Sequence, residues 1–140
     1  MGDTERLLLK IDYAYGFNIE DHKSCTNFNY STVSDPKHER YIGNDVQLKC
    51  YAYWWAKEYS EMSGEPIPDE ISICHNQFMI DPRKGTPVVR KVPGMVKYSD
   101  CEATWNEVYK SALRQMDYRL KVHNGEMKVS QLPRDVSACG

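Results

Sequence analysis

The sequence predicts an α+β domain in which two main helices pack on one face of a small, mostly antiparallel sheet. Three observations lead to this prediction. Apolar and polar side chains alternate near the start of the chain, a long apolar stripe with helical spacing lies near its end, and strand-like segments precede and separate the two helices. This order suggests a ferredoxin-type sandwich. With 140 residues, the chain is expected to form a single domain, residues 1–140.

The first predicted strand runs from Leu7 to Tyr15. Leucine, isoleucine and tyrosine occupy its odd positions, whereas Lys10 and Asp12 fall on even ones. A period of two is typical of a half-buried strand. Residues 16–43 are polar and rich in turn formers. The alternation of Phe28, Tyr30 and Thr32 within them predicts a second, weaker strand that pairs with the first.

The first predicted helix is capped by Asn44 or Asp45 and runs to about Met62, where Ser63-Gly64 ends it. Successive residues turn by about 100°, so the apolar side chains gather on one face that we expect to be buried. That face consists of Leu48, Tyr51, Ala52, Trp55, Tyr59 and Met62. By the same geometry, Trp54 lies at the flank of the buried face and Tyr53 lies nearly opposite it.

The middle of the chain predicts two strands. Residues 65–70 form a connector whose two prolines exclude a helix interior. Ile71 to Ile80 is interpreted as a strand because it begins with β-branched residues and is followed by a turn over 81–85. Pro87 to Val92 predicts a further strand near a sheet edge, since prolines stand at and just beyond its ends.

The last helix has the clearest local pattern. Ser99 and Glu102 have the spacing of a capping box, and Asn124-Gly125 is a typical helix stop. The helical stripe between them consists of Trp105, Tyr109, Ala112, Leu113, Met116 and Leu120. An alternative is that Asn-Gly turns a hairpin within Arg119 to Val129. A short strand is expected from Glu126 to Val129.

Composition and charge restrict the function classes. The net charge is −2, so no global field attracts nucleic acid or anionic lipid. No apolar run approaches the ~20 residues of a membrane span, and the polar start does not have the form of a signal peptide. The five cysteines are widely spaced and contain no CxxC pair. We therefore expect a soluble, cytoplasmic protein with free thiols and no membrane partner.

Catalytic and metal-binding patterns are weak. No nucleophile elbow, zinc-protease motif or phosphate-binding glycine loop is present. The sequence therefore leaves open whether the chain is an enzyme and favours a non-catalytic role without cofactor or metal. One alternative is a small enzyme or zinc protein with a site assembled by tertiary structure, using Cys74 or His75. His22, Cys25 and Cys74 form the weak candidate ligand set, although their spacing matches no zinc pattern.

Charge is segregated along the chain. An acidic run contains no base between its members, which are Glu58, Glu61, Glu65, Asp69 and Glu70. A basic run contains no acid between its members, which are Arg83, Lys84, Arg90, Lys91 and Lys97. The two runs can face each other within one molecule, or form complementary patches that suit head-to-tail contacts between copies. The basic run alone suits weak, salt-sensitive nucleic-acid binding, the alternative function.

Protein binding is the function that the sequence favours. Tyr53 and Trp54 are predicted to point outward, and both residue types are frequent at the energetic centres of interfaces. Together with Glu58 and Glu61 they form the candidate partner-binding set. The partner is expected to be another protein or a second copy of this chain, so the chain is interpreted as a protein-binding or self-assembling module. The opposing alternative is that the loop over 16–43 covers both rings.

Overall fold

The computed structural model describes residues 10–25, 28–80 and 85–131. Its helices and strands confirm the predicted α+β class, because two helices pack with a four-stranded mixed sheet. The elements in chain order are strands β1 (Tyr13–Tyr15) and β2 (Asn18–Ser24), helix α1 (Val46–Ser63), strands β3 (Glu70–Ile80) and β4 (Pro87–Lys97), and helix α2 (Tyr98–His123).

The strands lie in the sheet in the order β1-β2-β3-β4. The outer pairs, β1 with β2 and β3 with β4, are antiparallel, and the central pair, β2 with β3, is parallel. Parallel neighbours need a crossover, and α1 provides it. The element order is therefore β-β-α-β-β-α. It differs from the β-α-β-β-α-β order of the ferredoxin-type sandwich because a complete hairpin precedes the first helix.

The second strand is not where the sequence placed it. Phe28–Tyr30 forms a 3-10 turn, and the strand that pairs with β1 is Asn18–Ser24. The pattern was missed because Ile19 is the only apolar residue of β2, while the buried Asp21 takes a core-facing position. The first predicted strand is confirmed over Tyr13–Tyr15, where both tyrosines are exposed. Residues 10–12 precede the strand and are not part of it, and Leu7 to Leu9 lie outside the described residues.

Helix α1 begins and ends as predicted. The Asp45 side chain caps it by accepting a hydrogen bond from the Leu48 amide at 2.9 Å. Gly64 ends it in a left-handed conformation, with φ of 76°, that a residue with a Cβ adopts only with strain. The buried side of α1 consists of Leu48, Cys50, Tyr51, Ala52 and Ala56. Met62, which was assigned to this side, is exposed in the last turn.

Strand β4 confirms the predicted edge position but runs through Pro93 to Lys97. The Tyr41 hydroxyl is within hydrogen-bonding distance of both the amide and the carbonyl of Met95, at 3.3 and 3.2 Å, so these groups point away from β3. Alternate residues of a strand share this direction. The Pro93 nitrogen therefore also faces away from β3, where a missing N–H costs no ladder hydrogen bond.

The core lies between α1 and one face of the sheet. The sheet contributes Ile19, Ile71, Ile73, Val92 and Val96, which pack with Leu48 and Ala52 of α1 in one buried cluster. The first turns of α2 add the fully buried Cys101 to the same cluster. Gly94 is needed where β4 meets Ile42, because a Cβ there would lie 2.4 Å from the Ile42 Cγ2 atom.

The chain divides into two compact units after Trp105, within α2. In the second unit α2 continues to His123, so the alternative hairpin over 119–129 is wrong. Gly125 has φ of 77°, and the Glu126 amide donates to the Lys121 carbonyl at 2.8 Å, which closes the helix end. The predicted strand from Glu126 to Val129 is also wrong, since the chain there leads into a 3-10 turn, Val129–Gln131.

Helix α2 starts one residue before Ser99, the predicted cap. The helix begins at Tyr98, which places Ser99 inside its first turn. Within the described ranges, neither helix combines the length and apolar character needed to cross a bilayer.

Candidate functional site

Four rings from the two helices form an aromatic cluster: Tyr53, Trp54, Tyr98 and Trp105. The Tyr53 ring stacks on Tyr98, with centroids 5.7 Å apart, and on Trp105, with centroids 6.2 Å apart. Tyr98 and Trp105 are seven residues apart, so two helical turns bring them to the same side of α2. The cluster therefore joins the middle of α1 to the first turns of α2.

Trp54 is the exposed ring of this cluster. Its indole meets Trp105 edge to face, with centroids 5.2 Å apart and planes at 88°, and meets Tyr53 in a similar way at 5.6 Å. Edge-to-face contacts of this kind stabilise a defined ring orientation. Trp54 is nevertheless 40% exposed, whereas Trp105 is only 9% exposed. The rings of Tyr53 and Trp105 thus fix the orientation of the indole, while part of its surface is open to solvent.

Tyr53 does not point outward as the sequence predicted. It is half-buried and packs against the core, because the first turns of α2 cover the side of α1 opposite the sheet-facing residues. This second neighbour lies 45 residues farther along the chain, beyond the range of the helical spacing within α1. The available signal is the seven-residue spacing of Tyr98 and Trp105, which places both rings on one side of α2; the sequence predicts Trp105 only as part of the apolar stripe of α2.

The aromatic cluster already holds a cation. The Lys57 ammonium lies 5.1 Å from the centroid of the Tyr53 ring and 5.2 Å from that of the Trp54 ring. A cation within about 6 Å of a ring face is attracted by the negative charge of that face. The same ammonium lies 3.4 Å from the Tyr53 hydroxyl, which accepts a hydrogen bond from it. Lys57 belongs to none of the residue sets predicted from the sequence.

The predicted acidic residues lie next to Trp54. Glu58 and Glu61 follow it at the fourth and seventh positions, so the three side chains form one stripe along α1. Both carboxylates are exposed, as are Glu65, Asp69 and Glu70 farther along the chain. Within the part of the chain that the structure describes, the five ion pairs found include none of these carboxylates. The acidic run is therefore an exposed negative surface with no ion pair among the described residues, although Lys97 is the cross-strand partner of Glu70.

A cleft of about 920 Å³ lies at the end of the sheet where β3 begins and β4 ends. Its lining consists of Ile67, Pro68, Asp69, Glu70, Lys97, Tyr98 and Ser99. Tyr98 belongs both to this lining and to the aromatic cluster, so the two features are continuous. Burial raises the pKa of the Tyr98 phenol, and the nearby Tyr53 and Glu102 add to the effect. The ring is therefore neutral at physiological pH.

Arg90 does not share a surface with Lys91 and Lys97, the other described members of the basic run. Arg90 points to the core side, where its guanidinium donates to Gln77 Oε1 at 2.9 Å and to Ser31 Oγ at 3.0 Å. Lys91 lies on the opposite face, 3.5 Å from the Glu20 carboxylate, and Lys97 lines the cleft. Arg83 and Lys84 lie outside the described residues. Nucleic-acid binding stays a prediction, and the placement of these three side chains does not favour it.

A second group of polar residues surrounds the buried side chains of Asp21 and His75, and we call it the buried polar cluster: Asp21, Lys23, Thr32, Asp45 and His75. The Lys23 side chain is itself 42% exposed. The Thr32 hydroxyl is 2.6 Å from His75 Nδ1, and His75 Nε2 is 3.7 Å from Asp21 Oδ2. Asp45, the cap of α1, brings its free oxygen to 4.0 Å from the same nitrogen. The Lys23 ammonium approaches Asp21 Oδ2 at 3.0 Å.

Burial controls the ionisation of His75 and Asp21. It lowers the pKa of His75, although Asp45 and Asp21 oppose the change, and it raises the pKa of Asp21, which Lys23 opposes. Asp21 Oδ2 and His75 Nε2 have no aligned hydrogen-bond partner among the described residues. Hydroxyl, imidazole and carboxylate in a row are the components of a proton relay. However, His75 is only 2% exposed, so a substrate has no access to it in this conformation.

The candidate metal ligands have other partners. His22 Nδ1 lies 3.2 Å from the Asn76 amide nitrogen, Cys25 Sγ contacts the Phe78 carbonyl, and Cys74 Sγ contacts the His75 carbonyl. Across residues 10–25, 28–80 and 85–131, no group of three or more histidine, cysteine or acidic side chains has a geometry that could hold a metal ion. Cys74 and His75 lie on opposite faces of β3, as adjacent residues of a strand do.

The described cysteines are all free thiols: Cys25, Cys50, Cys74 and Cys101. Burial raises the pKa of Cys50 and Cys74 and raises that of Cys101 to about 11. Raised values disfavour the thiolate that a nucleophilic cysteine needs. These three thiols are therefore poorly suited to catalysis as nucleophiles.

Comparison with known proteins gives a partial similarity. The chain is 32% identical to phospholipase D2 of Bos taurus over 75 residues, which is 51% of this chain and 8% of that protein. The chain thus matches less than a tenth of the relative's length, a share too small to assign it to a family. No family model matches the sequence, and no solved structure matches it.

Proposed function

We propose that this chain is a non-catalytic protein-binding module whose docking surface is the aromatic cluster together with Glu58 and Glu61. The observation that carries the proposal is the state of Trp54, which is fixed by two neighbouring rings and 40% exposed. A large ring held in its bound orientation loses little side-chain entropy when a partner covers it. Tryptophan is among the residues most enriched at the energetic centres of interfaces.

The charges favour selective association. Glu58 and Glu61 stand beside the exposed indole without an ion-pair partner in the described chain, so they are available to steer a partner of opposite sign. The partner in this proposal is a protein, and self-assembly is its second form, in which another copy docks. A cytoplasmic location belongs to the proposal, since the four described cysteines are free thiols suited to a reducing compartment.

The test compares Trp54→Ala with Tyr13→Ala, a matched control. Tyr13 is a similarly exposed aromatic residue at 53%, and it lies in β1, outside the aromatic cluster. Proteins retained by immobilised wild-type chain are identified by quantitative mass spectrometry, and self-association is measured by analytical ultracentrifugation. We expect Trp54→Ala to weaken the specific interaction by about 2 kcal/mol, as for an interface anchor, and Tyr13→Ala to leave it unchanged.

Equal retention of the same proteins by wild type and Trp54→Ala would contradict the proposal. So would a partner that Tyr13→Ala loses and Trp54→Ala keeps, because the docking surface would then lie elsewhere. Circular dichroism of both variants, compared with wild type, separates lost binding from lost folding.

A further inference from the structure

We propose that the docked partner segment is basic: a lysine- or arginine-bearing stretch of another protein, whose cation lies beside the aromatic cluster and whose apolar neighbours enter the cleft. This inference rests on the proposed function, because it names the chemistry of the partner at the same site. Three features of the described residues support it: a cation that lies beside the rings, an acidic run without an ion pair among the described residues, and the composition of the cleft.

The first feature is the position of Lys57. Its ammonium lies 5.1 and 5.2 Å from the centroids of Tyr53 and Trp54, so one cation is within reach of both rings. Lysine side chains on a helix surface are flexible and readily exchange partners with solvent. A partner ammonium or guanidinium can therefore replace that of Lys57 with the same attraction to the rings.

The second feature is the sign of the surrounding charge. Glu58 and Glu61 follow Trp54 along one stripe of α1, and Glu65 and Asp69 continue the acidic run into the connector. All are exposed, and none belongs to an ion pair found in the described chain. A basic segment gains from this field, whereas an acidic peptide or a nucleic-acid phosphate is repelled by it.

The third feature is the cleft. Ile67 and Pro68 give it an apolar side, and Asp69 and Glu70 place carboxylates next to that side. Among the described residues of its lining, the base is Lys97, which is the cross-strand partner of Glu70 and offsets one of the two acids. Because Tyr98 lines the cleft and stacks on Tyr53, an extended segment can contact the cleft and the aromatic cluster together.

The test uses a short synthetic peptide of lysine, leucine and glycine as the probe, and the same peptide with glutamate in place of lysine. Binding is followed by two-dimensional amide NMR and by titration calorimetry at low and physiological salt. The charge variant is Asp69→Asn with Glu70→Gln. Its matched control is Glu39→Gln with Glu126→Gln, which removes the same charge from exposed positions outside the cleft and the aromatic cluster.

We expect the lysine peptide to bind wild type and the control variant, and to shift the amide signals of Tyr98 and Glu70 and the indole signal of Trp54. The Asp69→Asn/Glu70→Gln variant should bind it about tenfold more weakly, and added salt should weaken binding to wild type. The glutamate peptide should not bind. Absence of lysine-peptide binding at low salt overturns the inference, as does equal binding of the two peptides.

The variants separate this inference from the proposed function. If Trp54→Ala abolishes binding while Asp69→Asn/Glu70→Gln leaves it unchanged, the docking surface stands and its preference for a basic partner is wrong. If only the charge variant loses binding, the assignment of Trp54 as anchor is wrong. If the free protein sedimented as an oligomer that the peptide did not dissociate, a second copy would be the occupant and the inference would be overturned.

Discussion

The aromatic cluster and the buried polar cluster both include residues of α1 or its cap, yet they expose their chemistry in opposite ways. In the buried polar cluster, His75 is 2% exposed and its ring nitrogens face Thr32, Asp21 and Asp45 within the fold. In the aromatic cluster, Trp105 is similarly buried, but Trp54 leaves 40% of its surface open. The imidazole of His75 is thus enclosed within the fold, whereas the indole of Trp54 is accessible to a partner.

The energetic difference is equally clear. Burying ionisable groups costs solvation energy, which appears in the opposite pKa changes of His75 and Asp21. Burying aromatic rings is favourable, and stacking adds to the gain from buried area. The comparison indicates that solvent exposure, rather than the number of polar groups, identifies the surface that binds a partner. Three predictions test this comparison.

The largest expected effect is on stability at the inner ring of the aromatic cluster. Trp105→Ala removes a buried indole that contacts both Tyr53 and Trp54. We expect it to lower the free energy of unfolding by ~3–5 kcal/mol in urea titrations. Trp54→Ala is the matched variant and should cost about 1 kcal/mol, because its ring is already partly in water. If the two variants lost the same free energy of unfolding, the distinction between a buried supporting ring, Trp105, and an exposed ring, Trp54, would be wrong.

A smaller effect concerns the buried polar cluster and pH. The lowered pKa of His75 means that the unfolded chain binds more protons than the native state just below the ordinary value of 6.5. Stability should therefore fall as pH drops through this window. The raised pKa of Asp21 has the opposite effect on stability. As pH falls toward and through the raised value, the native state binds the Asp21 proton before the unfolded chain does, which favours the native state.

Thermal unfolding of wild type and His75→Gln measures this difference. Between about pH 7.5 and about pH 6, we expect the Tm of wild type to fall by a few degrees more than that of His75→Gln, which has no imidazole to protonate. Asp21→Asn should retain the fall, since it keeps the buried imidazole. Parallel Tm profiles for wild type and His75→Gln would contradict the account of burial given for this cluster.

The smallest expected effect concerns the cation on the aromatic cluster. Lys57→Met keeps the apolar stem and removes the ammonium over Tyr53 and Trp54. We expect a loss of about 0.5–1 kcal/mol in the free energy of unfolding, as for an exposed cation–π contact. Because the rings are then vacant, the lysine peptide should bind somewhat more tightly than to wild type. Lys49→Met, on the same helix, serves as control and should not tighten binding.

Several elements could be predicted from the sequence because their signals are local. Asp45 and Gly64 fix the ends of α1 through bonds to residues three or four positions away. Asn124-Gly125 ends α2 in the same way. Strand β3 was found from β-branched residues followed by a turn. The exposure of Glu58 and Glu61 follows from their polarity and their place on α1.

Other features could not be predicted because they depend on residues far apart in the sequence. Strand β2 has one apolar residue, and only its pairing with β1 and β3 makes it a strand. Tyr53 is half-buried because α2 begins beside it, a contact across 45 residues with Tyr98. Arg90 was predicted as a surface base, but it is drawn to the core side by Gln77 and Ser31.

By itself, then, the sequence determined the α+β class, the limits of α1, the edge position of β4 and the acidic run beside Trp54. Tertiary structure decided which rings are covered, which cations are engaged, and that the aromatic cluster meets a cleft at Tyr98. The physical reason is the distance along the sequence over which each interaction acts. Caps, periodicity and turn chemistry act within a few residues, whereas burial depends on which distant elements the fold brings into contact.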